Sequence, residues 1–196
     1  MMSKESRQTI IKAAKRIFAD SGYDGLSMRR LEQESGIGLS SIYHFFADKD
    51  VLLKAIFDET NTELGVLRAK LPQRKTASAM LKDRIKFQFD NIESVVFVLK
   101  YFLHNRHDFE HLNRGFVPPK AYLHIEEVIT AGIKEGVFPI AEQDIAKEAK
   151  VVTHAINGFL LEYYPDTPKG RELTEVTNSL YDFILRALTS KKEGPV

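Results

Sequence analysis

The sequence contains no cysteine. Disulfides and thiolate metal sites are therefore excluded, and a reducing cytoplasm is the compartment that fits. Nowhere do about 18 apolar residues run together, the length a membrane-spanning helix needs. Residues 1–16 are polar and charged, without the apolar run of a signal peptide, so the expected location is the cytoplasm with no membrane partner. Charge of one sign is also lacking: 28 Lys and Arg stand against 27 Asp and Glu, a net charge of +1. A general nucleic-acid sponge would be strongly basic. Any nucleic-acid binding must therefore come from a local surface. Repeats, low-complexity tracts and sustained strand-like alternation are missing as well.

What is present is helical periodicity. Apolar residues make up 43% of 196 positions, enough for a core, and recur at three- and four-residue spacing. The fold class expected is all-α, with about nine helices. Ile10, Ala13, Ala14, Ile17 and Phe18 share one face of a helix over 5–21, with Gly22 just past its end. Ser27 is a good N-cap for a short helix reaching Ser35. Gly36-Ile37-Gly38 interrupts it, and a second short helix runs from about Leu39 to Phe45. Asp48 caps a long helix that fades near Lys70. Leu71-Pro72-Gln73-Arg74-Lys75 is the best boundary. Further helices are expected near 76–91, 94–112, 119–135, 142–164 and 170–190. Nine of the thirteen phenylalanines follow Pro72. The organisation expected is a helix-turn-helix domain over 1–48, a connecting helix over 49–70, and a larger body over 71–196.

Ser27 to Lys49 carries the chemistry. Two helices of about two turns, joined through a glycine, make a helix-turn-helix pattern. Gly36 sits where the chain must turn sharply, with a positive φ that a Cβ would resist. Leu31, Ile37, Ile42 and Phe45 are spaced to fill the wedge between the helices. Ser40, Ser41, Tyr43 and His44 then face outwards, with donors and acceptors suited to phosphates and base edges in a major groove. The alternative for this stretch is an ordinary helical hairpin with a solvated face.

Over about residues 7–57 the sequence resembles the TetR family of regulators. Phe18-Ala19-Asp20-Ser21-Gly22-Tyr23, Ser27-Met28-Arg29, Ser35-Gly36-Ile37-Gly38, Ser41-Ile42-Tyr43-His44-Phe45-Phe46, Asp48-Lys49-Asp50 and Leu52-Leu53 carry the resemblance, in that order. Two positions depart from it. Glu32 stands where the family usually has a small residue, often alanine. Phe45 stands where His or Tyr is common, which removes a phosphate contact that His44 is expected to take over. The resemblance implies a transcriptional regulator that binds double-stranded operator DNA as a homodimer and is released by a small apolar or amphipathic effector. Chemistry and resemblance together select Ser27, Arg29, Ser40, Ser41, Tyr43, His44 and Lys49 as DNA contacts. Tyr43 is read as a phosphate clamp, Ser40 as a base or phosphate contact, and Lys49 as a phosphate contact helped by its helix N-terminus. Ser27 and Arg29 flank the other strand. For Tyr43 the alternative is core packing by its ring, and for Arg29 and Arg30 an ordinary solvated face. The first fifty residues hold eight basic groups against seven acidic ones, so the acidic groups must point away from DNA.

In the body, the helices over 142–164 and 170–190 have more apolar surface than one core face needs. Val151, Ala155, Gly158, Val176, Leu180, Phe183 and Ile184 are expected at a dimer interface, which the resemblance makes a four-helix bundle between subunits. Full burial inside one body is the alternative. Phe87, Phe97, Tyr101, Phe102, Phe109, Phe116, Tyr122 and Phe159 are candidates to line an effector cavity, or else plain core. His104, His107 and His111 invite a metal hypothesis. Along a continuous helix the outer two are about 10.5 Å apart, too far for one zinc with bonds of about 2 Å. They are read as a solvated polar face, and no metal or cofactor is expected. The competing functions are a helical enzyme, for which nucleophile–base spacing, a phosphate-binding glycine loop and HExxH are all missing, and a ligand-binding scaffold without regulatory DNA binding.

Overall fold

The structure, a computed structural model, describes residues 4–74, 76–105 and 122–190. Among them every regular element is helical. α1 spans Lys4–Gly25, α2 Met28–Ser35, α3 Leu39–Phe45, α4 Lys49–Ala69, α5 Ala77–Asp90 and α6 Ile92–His104. α7 (Leu123–Lys134), α8 (Ile145–Tyr163) and α9 (Gly170–Thr189) follow, with a 3₁₀ turn at Glu142–Asp144 before α8. No described helix is long and apolar enough to cross a membrane.

The described residues form two compact units. One comprises residues 4–69 and 93–105, the other 70–92 and 122–190, Lys75 apart. In the N-terminal unit α1 breaks at Gly22, whose φ of 69° is left-handed backbone that glycine alone adopts freely. Before the break, Ile10, Ala14, Ile17 and Phe18 are buried. They share the core with Leu31 of α2, Ile42 of α3, and Leu52, Leu53, Ile56 and Phe57 of α4. α6 completes this core. Phe97 lies with its ring centroid 5.2 Å from that of Phe18, and Tyr101 stacks on Phe57 at 4.5 Å. Such aromatic pairs add about 0.5–1.5 kcal/mol beyond area burial. Lys15 also donates to Ser94 Oγ at 2.8 Å, tying α1 to α6. The run Val95-Val96-Phe97-Val98 is buried throughout. Sequence reading grouped this helix with the body; its partners are α1 and α4.

In the C-terminal unit α5 packs on α7 and α9, and α7 on α8. Thr76 caps α5 by accepting the Ala79 N–H at 3.3 Å, and Glu135 Oε1 accepts the Ala77 N–H at 2.8 Å. Both oxygens satisfy N–H groups that no intrahelical carbonyl can reach. Leu81, Ile85, Val128, Ile129, Ala149, Ile156, Leu160, Leu180, Ile184 and Leu188 make the core. Gly132 on α7 lies under the buried Phe138, and a Cβ built there would overlap the phenyl ring.

Candidate nucleic-acid interface

The helix-turn-helix is built from local signals. Ser27 Oγ accepts the Arg30 N–H at 3.2 Å and opens α2. Gly36, with φ 68° and ψ 10°, closes it, and its N–H donates to Glu32 O at 2.9 Å. This is the left-handed turn that the sequence demanded. Ser35 Oγ then accepts the Ile37 N–H at 3.2 Å. α3 starts after Gly38, which has no side chain to cap it. Glu32 on α2 supplies the missing oxygen: its Oε1 accepts the Leu39 N–H at 2.8 Å. Asp48 Oδ1 accepts the Val51 N–H at 2.8 Å and caps α4.

The wedge differs from expectation in two residues, and Ile37 is only half-buried. Leu31 and Ile42 are fully buried, but Phe46 takes the buried place given to Phe45, which is half-buried. α3 ends at Phe45, and the extended backbone of Phe46 (φ −139°, ψ 116°) turns its ring inwards under the Arg7 guanidinium, 5.4 Å from the centroid.

The expected DNA contacts fall on the beginnings of three helices and along α3. Ser27, Arg29, Ser40, Tyr43 and His44 are exposed and Ser41 is half-buried. Tyr43 is 49% exposed, too open for a core ring. Arg30 is not a free basic group: its Nη1 donates to Ser21 Oγ at 3.1 Å and Gly25 O at 3.0 Å, bracing the α1–α2 junction. Lys49 is engaged as well. Its Nζ lies 3.6 Å from the Tyr23 ring centroid and donates to Tyr23 O at 3.3 Å and Leu26 O at 3.5 Å. Tyr23 in turn donates its hydroxyl to Asp50 Oδ1 at 2.6 Å. That bond, then burial and the charges of Asp50, Asp24 and Asp48, push the phenol up to about 12. His104 stacks on the same ring, 4.0 Å between centroids, so it is not simply part of a solvated face. His107 and His111 lie outside the described residues.

Internal bonds occupy much of the acidic charge in this unit. Glu34 pairs with Arg16 at 2.5 Å, Glu59 pairs with Arg7, Asp48 and Glu32 cap helices, and Asp50 holds Tyr23. The hydroxyls of Ser40 and Tyr43 and the Arg29 side chain are exposed beside them.

Residues 10–56 match the family model for bacterial regulatory proteins of the tetR family. The chain is similar to the HTH-type transcriptional repressor AcnR of Corynebacterium glutamicum, 31% identical over 87 residues, which are 44% of this chain and 46% of that protein. Its counterpart in Corynebacterium diphtheriae is 43% identical over 64 residues, 33% of this chain and 34% of that protein. The fold is that of a TetR-family transcriptional regulator from Rhodococcus sp., with a TM-score of 0.70 and 17% identity, covering 95% of this chain and all of that one. Residues 10–56 therefore carry the N-terminal region of the TetR family. The matches span 46% and 34% of the length of these two AcnR proteins. Within that TetR-family region, Ser27, Arg29, Ser40, Ser41, Tyr43, His44 and Lys49 all fall inside residues 10–56.

The other predicted sets divide between the units. Phe97 and Tyr101 are core of the N-terminal unit, and Phe102 is half-buried there. In the C-terminal unit Phe87 is buried, Tyr122 half-buried and Phe159 exposed. Phe109 and Phe116 lie outside the described residues. Of the expected interface, Val151 and Phe183 are 58% and 59% exposed, Gly158 is exposed, and Ala155 and Val176 are half-buried. Leu180 and Ile184 are buried within their own unit and are core, because α9 turns the Leu180–Ile184–Leu188 stripe inwards and leaves Phe183 on the other side. Sequence reasoning missed Glu32, Tyr23 and the α3 cap. The available signal was a glycine at an N-cap position with a carboxylate on the preceding helix.

Proposed function

We propose that the chain is a cytoplasmic transcriptional repressor that binds operator DNA as a homodimer and leaves it when a small apolar or amphipathic effector binds. The observation that carries this reading is the α3 face. Ser40, Tyr43 and His44 are exposed on a short helix whose buried side, Ile42, is fixed by the Gly36 turn. That arrangement fits a reading helix in a major groove. Ser40 is at its N-terminal end, suited to base edges, while Tyr43 and Arg29 suit phosphates, which position without choosing sequence. The named relatives are repressors, which favours repression over activation. An enzyme reading has no observation in its favour.

Dimerisation is supported by an unpartnered apolar surface. Val151, Ala155 and Gly158 lie at spacings of four and three on α8, with Phe159 and Leu161 also exposed, and Phe183 and Val176 stand on α9. A two-fold pair would present two reading helices to a pseudo-palindromic site. An amphipathic effector is supported by two buried polar atoms of the C-terminal unit, Gln88 Oε1 and Thr153 Oγ1, which have no hydrogen-bond partner among the described residues. Such atoms cost about 1–3 kcal/mol each until something bonds to them.

The test is selection of duplexes from a randomised library by the full chain, followed by footprinting of the enriched sequence upstream of the chain's own gene. Enrichment of a two-fold symmetric site is expected. A chain that enriches no sequence, under salt conditions where random DNA is still bound, refutes the reading.

A further inference from the structure

We infer that Glu32 is the positioning residue of the reading helix, and that base discrimination by Ser40 depends on it. The inference rests on the DNA-binding reading above. The first N–H groups of any helix lack intrahelical acceptors, and an N-cap serine, threonine, aspartate or asparagine normally supplies one. α3 has glycine there. Its Leu39 N–H is held instead by Glu32 Oε1 at 2.8 Å, from seven residues earlier. A carboxylate at this end also complements the helix dipole. The same residue's carbonyl accepts the Gly36 N–H at 2.9 Å. One residue thus ends α2 with its backbone and starts α3 with its side chain, fixing the turn from both sides.

The consequence is local. Ile42 anchors the middle of α3 in the core, whatever happens at its start. Ser40 is exposed and one residue beyond the tethered N–H. Removing the tether frays the first turn and moves Ser40, while Tyr43, next to the Ile42 anchor, stays in place. Discrimination at the base pair read by Ser40 is lost, and the rest of the site is still read. Total affinity is a poor guide, because deleting a carboxylate near DNA strengthens attraction to any phosphate backbone.

Gly38 offers an independent way to hold the first turn, through the N–H groups one or two residues beyond Leu39. Its φ of −57° and ψ of 146° are open to any L-residue, and a Cβ built there meets nothing within 4 Å. A serine at this position can cap α3 locally.

The experiment compares full-length wild type, Glu32→Ala, Glu32→Gln and Glu32→Ala/Gly38→Ser on the library-selected duplex and its single-base variants, with circular dichroism on each protein. The wild type is expected to favour one base about fivefold or more at the Ser40 position, the low end for a base contact. Glu32→Ala is expected to fall below about twofold there and keep its preferences elsewhere, on the same scale. Glu32→Gln keeps an acceptor oxygen and the preference, and the double variant regains it. Should Glu32→Ala fail to fold, the folded double variant decides: preference retained supports the inference, preference lost overturns it. A folded Glu32→Ala with the wild-type profile, or with preference lost equally at every position, also overturns it. A wild type with no preference for any duplex overturns the DNA-binding reading itself, a separate result.

Discussion

The Lys49 ammonium sits 3.6 Å from the centre of the Tyr23 ring and reaches back to the carbonyls of Tyr23 and Leu26. A lysine at the start of α4 therefore braces the junction between α1 and α2 from inside the unit. Read from sequence it was a phosphate contact, helped by the helix N-terminus. Its internal partners change what its removal should do.

Lys49→Ala is expected to lower stability by about 1–2 kcal/mol, the range of a partly desolvated cation–π contact with hydrogen bonds to carbonyls. Its effect on the salt dependence of DNA binding should be well below one counterion per subunit. Arg29→Ala, on an exposed side chain, should show the reverse: unchanged stability and a salt slope reduced by about one per subunit. Urea unfolding and a binding series across salt concentrations measure both. A full one-unit change for Lys49→Ala, with stability untouched, would return Lys49 to the phosphate-binding set.

Tyr23 makes stability depend on alkaline pH. Its phenol is raised from 10.0 to about 12, first by the hydrogen bond to Asp50. The folded state holds this proton more tightly than the unfolded chain does. The stabilisation is therefore complete below about pH 10 and is lost as pH rises towards about 12. Tyr23→Phe should unfold more easily than wild type near pH 8, with the difference vanishing over that window. Parallel denaturant curves from pH 8 to 12 measure it, and a difference that stays constant up to pH 12 contradicts the assignment.

Phe183 and Leu180 should respond differently to the same substitution. Phe183→Glu places a charge on exposed surface, so helicity should survive while the proposed dimer separates. Leu180→Glu buries a charge in a filled core and should cost about 3 kcal/mol or more, unfolding the unit. Sedimentation and circular dichroism on the two variants distinguish interface from core. A Phe183→Glu chain that sediments as the wild type does places the dimer contact elsewhere.

Thr153→Val replaces a buried hydroxyl that has no hydrogen-bond partner among the described residues with a methyl group of nearly the same shape. In the ligand-free protein this should raise stability by about 1 kcal/mol, since a buried acceptor without a partner is removed. A thermal melt gives the answer, and a drop in melting temperature would mean that the hydroxyl is bonded in solution.

The helix-turn-helix was legible because its determinants are local. Gly36 needs a backbone that side chains resist, Ser27 and Asp48 cap the helices they precede, and the Leu31 and Ile42 spacing states which faces are inside. What stayed hidden was choice of partner. The Val95–Val98 run announces a buried helix but not that it packs on Phe18 and Phe57. The double stripe of α9 shows that two faces are apolar without telling which is inner, so Leu180 and Phe183 were grouped together. Glu32 and Lys49 are charged residues whose bonds reach seven and more than twenty positions along the chain. Periodicity carries no information at that range, and solvent exposure was the default expectation for both. Phe45 and Phe46 are neighbours: α3 ends at Phe45 as expected, and the extended backbone of Phe46 turns the second ring inwards in place of the first.

Gly132 offers a handle for genetics. Its missing side chain is what lets the Phe138 ring lie flush on α7, so even one added methyl has nowhere to go. Overpacking of this kind costs about 1–3 kcal/mol, a sizeable share of the margin on which a small domain survives. A strain carrying Gly132→Ala should therefore hold a working protein when grown cool and lose it when warmed, giving a conditional allele whose lesion lies far in sequence from every residue proposed to touch DNA.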